Sequence, residues 1–255
     1  MSVSKEVRHQ PHFEGVKRVV QFNWSWYLLA IVVATVLYVT AGLSDVPALA
    51  RTAAGAIATL IILQSVVSLL VSHWIYDLSA ITSWTWLLKS VSDPARIIIV
   101  HAGYDETDGA IPKIFRSASV STVDLYDSLK RKEKSIKRAR ELHPPSGQPI
   151  GHGPSNWPAE DESMDLILIA FAAHELRDRP SREQLFIEAK RVIRRDKPII
   201  VVEHLRDFAN FVAFNVGAFH FHSQHEWLDC FRSAGLQMVE HLKMTPFVSV
   251  FVLQR

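Results

Sequence analysis

Two long stretches almost without charge constrain the first third of this chain more than any other feature. Trp24 to Leu43 (WSWYLLAIVVATVLYVTAGL) contains no Asp, Glu, Lys, Arg or His. At 1.5 Å per residue, a helix of that length covers about 30 Å, the thickness of a bilayer's hydrocarbon core. Thr52 to Tyr76 (TAAGAIATLIILQSVVSLLVSHWIY) is a second such run, with Gln64 and His73 as its only strongly polar members. Between them, GLSDVPALAR carries Gly42, Asp45 and Pro47, which break a helix. The pattern predicts a transmembrane helical hairpin over residues 24–76.

Lys5, Arg8, Lys17 and Arg18 precede the first run and only Arg51 lies in the turn, so the positive-inside bias places both termini in the cytoplasm. Trp24, Trp26 and Tyr27 at one end, and Trp74, Tyr76, Trp84 and Trp86 at the other, are expected as interfacial belts. A secretory signal is the competing reading, opposed by the second run and the lack of a small-residue cleavage site. Gln64 and His73 are expected to bond across the hairpin or to lie near the interface. The divisions are then a cytoplasmic segment 1–23, the hairpin 24–76, an interfacial linker 77–92 and a cytoplasmic domain 93–255.

Charge excludes one class of partner. With 28 basic and 26 acidic residues the net charge is +2, so no global field favours nucleic acid. The lone cysteine, Cys230, leaves no internal disulfide and no thiolate cluster, in keeping with a reduced compartment. The basic run Lys130 to Arg140 is a solvated helix face or a contact for anionic headgroups.

From Asp93 onward strands and helices alternate. RIIIV (96–100), SVSTVDL (119–125), MDLILIA (164–170) and PIIVV (198–202) are β-branched runs of strand length, separated by helical stretches at 128–142 and 181–193. Pro112 shortens the helix after the first strand. This predicts an α/β, Rossmann-like, doubly wound and mostly parallel sheet, whose ligands lie at the carboxyl ends of the strands. Two features mark that edge: the loop HAGYDETDG after the first strand, and Asp124 at the end of the second, placed to accept hydrogen bonds from ribose hydroxyls.

Pro158 to Asp207 narrows the reading. Its Pro158, Asp161 to Asp165, Phe171 to Leu176 and Arg191 to Pro198 match, in order, an acidic lead-in, a loop after the strand and a turn before the next strand. In these the chain resembles the class I S-adenosylmethionine-dependent methyltransferases, in the branch of the ubiquinone and menaquinone C-methyltransferases. The resemblance covers about Ala95 to Arg255 and implies a C-terminal antiparallel strand pair at 236–246 and 247–253. It also implies S-adenosyl-L-methionine as cofactor, held by His101, Ala102, Gly103, Tyr104, Asp105, Glu106, Asp124, Leu125, Asn156, Trp157 and Phe171. The chain departs from the family's pattern at Ile99, His101 and Gly153, where an acid, a glycine and a second acid are replaced, and at Arg194 to Asp196 in the turn. Asp105 or Glu106 is expected to meet the cofactor's ammonium group instead. A nicotinamide-dependent reductase would need a G-x-G-x-x-G that is not here.

Methyl transfer needs an aligned nucleophile, an excluded solvent and, for a protonated acceptor, a base. His204, directly after PIIVV beside Glu203, is the favoured base, with His174 of AAHEL the other candidate. FVAFNVGAFHFHSQHEW (211–227) is an aromatic connection expected to wall the acceptor pocket, with His220 and His222 on one face of an extended segment. Ser223 and Glu226 read as a capping box, so His225 begins a helix. No metal site is expected, because neither histidine has a nearby Asp, Glu or Cys ligand. The expected protein is a membrane-anchored methyltransferase of a lipophilic small molecule, quinone-like or lipid. The alternatives are a small soluble thiol as acceptor, or a non-catalytic adaptor that keeps the fold. The acceptor atom and the oligomeric state stay open.

Overall fold

The computed structural model describes residues 13–130, 132–145 and 147–255. Lys5 and Arg8, on which part of the orientation argument rests, lie outside them. Two long helices come first, α1 (Glu14–Gly42) and α2 (Ala48–His73), packed antiparallel. Both are long and apolar enough to cross a membrane, and most of their surface is exposed. Tyr38 and Thr59 share a hydrogen bond of 2.9 Å across the pair.

The base of this hairpin is fastened to itself. A π-helical turn, Trp74–Leu78, follows α2, and its Asp77 carboxylate accepts from the backbone N–H groups of Gly15 (2.6 Å) and Val16 (3.0 Å) and pairs with His73 at 2.8 Å. Those N–H groups are unpaired donors of the first turn of α1, so the carboxylate caps the helix and meets its positive end. Gly15 permits the approach: a Cβ there would lie 2.5 Å from that of Tyr76.

The rest is one seven-stranded sheet. Its strands are β1 (Arg96–His101), β2 (Ser119–Asp124), β3 (Gly151–His152), β4 (Leu166–Ala170), β5 (Ile199–His204), β6 (Gln237–Thr245) and β7 (Val248–Gln254), in the order β3-β2-β1-β4-β5-β7-β6. Strands β1 to β5 are parallel and β7 runs antiparallel between β5 and β6, so the expected closing pair is present. The helices are α3 (Ala110–Ile114), α4 (Lys134–Leu142), α5 (Arg179–Val192), α6 (Phe208–Phe214) and α7 (Gln224–Ser233). α4 starts six residues later than the sequence pattern predicts, after a short 3-10 turn at Tyr126–Ser128. α7 opens on the Ser223–Glu226 capping box.

Two apolar layers enclose the sheet. One face packs against α5 and α7 through Phe186, Trp227 and Phe231. The other is covered by the segment following α2: Ile75, Ile81, Trp84, Trp86, Leu87 and Val91 pack against Ile97, Ile99, Leu166, Leu168, Ile200 and Val202. Trp84 and Trp86 are therefore core residues, 1% and 9% exposed, rather than interfacial ones. Residues expected as linker supply a layer of the core, because the three short 3-10 and π turns between 74 and 89 turn their apolar side chains toward the sheet.

Candidate active site

The carboxyl ends of β1, β4 and β5 open into a cavity of about 1330 Å³, and the hairpin forms its far wall. Ala102, Tyr104, Glu106, Phe171, His174, Glu175, Arg177 and His204 line it from the sheet side; Trp26, Tyr27, Ala30, Ile61 and Gln64 line it from the hairpin. Phe214 to Phe221, minus Ala218, close a third side. The volume exceeds the several hundred Å³ of an ordinary small-molecule pocket.

His204 sits at the end of β5, 5% exposed, with both ring nitrogens engaged. Its Nδ1 donates to the Phe247 carbonyl at 2.9 Å, which leaves Nε2 to accept the Tyr76 hydroxyl at 3.0 Å. Burial holds its pKa down at about 4. The favoured base is thus a neutral imidazole that any proton reaches through Tyr76, a residue the sequence reading placed at the membrane interface.

His174 is the opposite case. Nδ1 lies 2.6 Å from Glu203 and Nε2 3.1 Å from Glu175. Burial works against its charge, but the two carboxylates prevail and hold its pKa up at about 10. It is an imidazolium with both N–H groups spent, so it orients Glu175 rather than removing a proton. Glu203 is fully buried and also accepts from the backbone N–H of Ala173 (3.0 Å) and His174 (3.2 Å). Burial opposes the charge of Glu175, yet His174 and His220 hold it well below the usual carboxylate range.

His220 joins this network through Nε2, 2.9 Å from Glu175, and Arg177 lies against both of its ring nitrogens and donates to its carbonyl at 2.6 Å. His222 does not share its face. The segment before it is a 3-10 turn (Asn215–His220) rather than extended chain, so His222 turns to the far side and stacks edge-on against Trp227, ring centroids 5.4 Å apart. It lines no part of the cavity, and burial holds its pKa at about 4. The expectation of a missing carboxylate ligand is corrected too: His174, Glu175 and His220 bring one ligand atom each within 4.8 Å of one another. The set is spent on itself, with Arg177 over His220 and His174 held between two carboxylates.

The cofactor residues divide in two. Ala102, Tyr104, Glu106 and Phe171 line the cavity, where burial and the charge of Asp105 push Glu106 up to about 7. Asp105 is occupied in its own turn, accepting from the Thr107 N–H (2.9 Å) and hydroxyl (2.7 Å). Leu125 and Trp157 are buried in the core, and Trp157 braces Gly153 and Glu188. Neither lines the cavity, nor do His101, Gly103, Asp124 and Asn156.

Two features suited to S-adenosylmethionine are nevertheless in place: Gly103, at φ 91° in the loop after β1, and Asp124 at the end of β2. Both are covered. A Cβ on Gly103 would lie 2.6 Å from the Tyr126 ring, and Asp124 accepts from the Tyr126 N–H at 2.9 Å and from Arg140, with His101 Nδ1 at 3.5 Å. Arg140 is stacked over Tyr126, 4.5 Å from the ring centroid, and about a third of its side chain is exposed. The residues would fit the cofactor with the Arg140 side chain moved off the Asp124 carboxylate and the Tyr126 ring moved off Gly103.

Sequence reasoning missed Tyr76, Arg140, Glu175 and Arg177 as site residues. Glu175 carried a signal, a second ionisable group beside His174 in an otherwise apolar loop.

Comparison by sequence finds no matching family model and no matching curated protein. Comparison by structure does find likenesses. The mitomycin 7-O-methyltransferase MmcR is 13% identical over 96% of this chain and 73% of its own, with a TM-score of 0.51. A Nostoc punctiforme protein assigned as an O-methyltransferase is 15% identical over 94% and 73%, with a TM-score of 0.50. A SAM-dependent methyltransferase from Aquifex aeolicus is 16% identical over 66% and 87%, with a TM-score of 0.49. Strand order, the antiparallel closing pair and the likenesses to MmcR and the Nostoc punctiforme protein together give the chain the fold of the class I S-adenosylmethionine-dependent methyltransferases.

Proposed function

We propose that this chain is a membrane-anchored S-adenosylmethionine-dependent methyltransferase whose acceptor is a lipophilic small molecule, quinone-like or lipid, taken from the bilayer. One observation carries the reading: the same two helices that are long and apolar enough to cross a membrane, with most of their surface exposed, form a wall of the cavity at the strand ends. An apolar acceptor then passes from hydrocarbon to the site without crossing water.

In this reading Gly103 and Asp124 hold the cofactor, which supplies a methyl group on a sulfonium. The apolar wall and Phe171, Phe214 and Phe221 exclude water and align the acceptor. Glu106, near neutral pKa, is matched to taking a proton from an acceptor hydroxyl. The paired groups His174, Glu175, Glu203 and Arg177 fix the polar end of the cavity.

Titration calorimetry with S-adenosylhomocysteine, followed by transfer of labelled methyl from S-adenosylmethionine to a membrane lipid extract, tests it. Binding with transfer into the organic phase is expected. No binding at millimolar ligand overturns the enzyme reading, and transfer only to water-soluble thiols or other soluble acceptors overturns the lipophilic one. The covered Asp124 favours a second reading, a non-catalytic adaptor; it requires that Arg140→Ala also fail to bind the ligand.

A further inference from the structure

The connection between β5 and α7 makes an excursion whose two ends meet. Leu205 and His222 form a parallel bridge, and the Arg206 N–H donates to the His222 carbonyl at 2.9 Å. Charge stays at this base: Arg206 pairs with Glu226 at 2.7 Å and Lys243 with Asp207 at 3.3 Å. From Phe208 to Phe219 (FANFVAFNVGAF) there is no ionisable residue. Five large apolar side chains there face outward, among them Phe208 (82% exposed), Val216 (75%) and Phe219 (65%).

The register of the hairpin sets the depth of this excursion along it. From α4, the charged Arg138 reaches the Phe22 carbonyl (3.0 Å) and the Ser25 hydroxyl (3.1 Å) of α1, and we take this charge as the aqueous level, just below Trp26. Tyr38 is opposite Thr59, so Trp26 lies level with residues near Leu69–Val71 on α2. Gln64 is at least five residues further along, about 8 Å deeper. There its Nε2 donates to the carbonyls of Val212 and Ala213, 3.1 Å each, in the last turn of α6. Such carbonyls have no partner within their own helix, and in hydrocarbon they have no water either. Gln64 supplies what the depth removes.

We infer that residues 208–219 form a third membrane-embedded element, set about 8 Å into the leaflet adjoining the domain, beside α2. That depth suits an apolar surface lying at the boundary of headgroups and acyl chains. Because Phe214, Val216 and Phe219 also line the cavity, the doorway for the acceptor lies within the leaflet, between this element and the hairpin. The inference rests on the hairpin spanning the bilayer, as proposed above.

The test uses the full chain in phosphatidylcholine vesicles. An environment-sensitive dye is placed on Val216→Cys and, separately, on Phe219→Cys. Val36→Cys on α1 and Arg195→Cys on the domain serve as references; the native Cys230 is buried. Blue-shifted emission, and loss of fluorescence to nitroxide-bearing acyl chains, is expected at 216, 219 and 36 but not at 195. A lipid signal at 36 with water-like emission at both 216 and 219 overturns this inference and leaves the anchor standing. Water-like emission at 36 as well overturns the anchor and the inference with it.

Discussion

The hydroxyl of Tyr76 donates to Nε2 of His204 across 3.0 Å, so the turn ending the second long helix is bonded to the end of β5. Tyr76→Phe leaves a buried ring nitrogen without its partner, a loss of about 1–3 kcal/mol. The expected outcome is a lower melting temperature in detergent and a fall in methyl transfer, with S-adenosylhomocysteine affinity changed less than twofold. Calorimetry and turnover on the same preparation check it.

Glu203 and His174 form a deeply buried ion pair at the polar end of the cavity. Glu203→Gln removes one charge and leaves the imidazolium facing Glu175 alone, which should destabilise by about 3–5 kcal/mol. The double variant Glu203→Gln, His174→Gln should cost less than the sum of the singles. A double-mutant cycle in chemical denaturation measures the coupling.

Stability should fall on both sides of a maximum in pH. His204 and His222, held at about 4, refuse protons that the unfolded chain takes up near 6.5, so their contribution is lost as pH falls from 6.5 toward 4. His174, held up at about 10, contributes fully below 6.5 and loses that contribution as pH rises through 10. Glu106 favours the folded state at low pH but is one group against two. Melting curves from pH 4 to 10 should show the dome, and His174→Gln should flatten its alkaline limb.

Arg140→Ala should raise S-adenosylhomocysteine affinity severalfold by freeing Asp124, whereas Asp124→Asn should abolish binding. Gly103→Ala combines a left-handed φ with a collision against the Tyr126 ring, a cost of about 1–3 kcal/mol. Its affinity should drop at least tenfold. Titration calorimetry ranks all three.

A chain beginning at Asp93 should aggregate, while one beginning at His73 keeps its core. The former lacks Ile75, Ile81, Trp84, Trp86, Leu87 and Val91, which cover one face of the sheet. At about 2 kcal/mol for each buried side chain, their loss rivals the whole stability of a domain. Light scattering and near-ultraviolet circular dichroism distinguish the outcomes.

The strands were legible because RIIIV, MDLILIA and PIIVV are too short and too β-branched to be anything else between helical stretches. Asp124 was legible from its place at a strand end. Its cover was not, since Arg140 is 16 residues away and an ion pair leaves no local pattern. His220 and His222 looked alike because alternation is informative only in extended chain; a 3-10 turn sent them to opposite sides. Trp84 and Trp86 were misplaced because an aromatic beside an apolar run reads equally as a belt or as core, and only the sheet face beneath them decides. Gln64 was visible as an oddity, but the carbonyls it serves lie 148 and 149 residues on.

The Asp77 clasp at the base of the hairpin has a consequence for biogenesis. All of its parts, Gly15, Val16, His73 and Asp77, are translated before Arg96, the first residue of the sheet. The nascent chain can therefore pair and lock its two helices while the sheet is still unmade. The layer 75–91, made next, then offers the apolar surface against which β1, β4 and β5 pack as they emerge, so the N-terminal third precedes and guides the folding of the sheet.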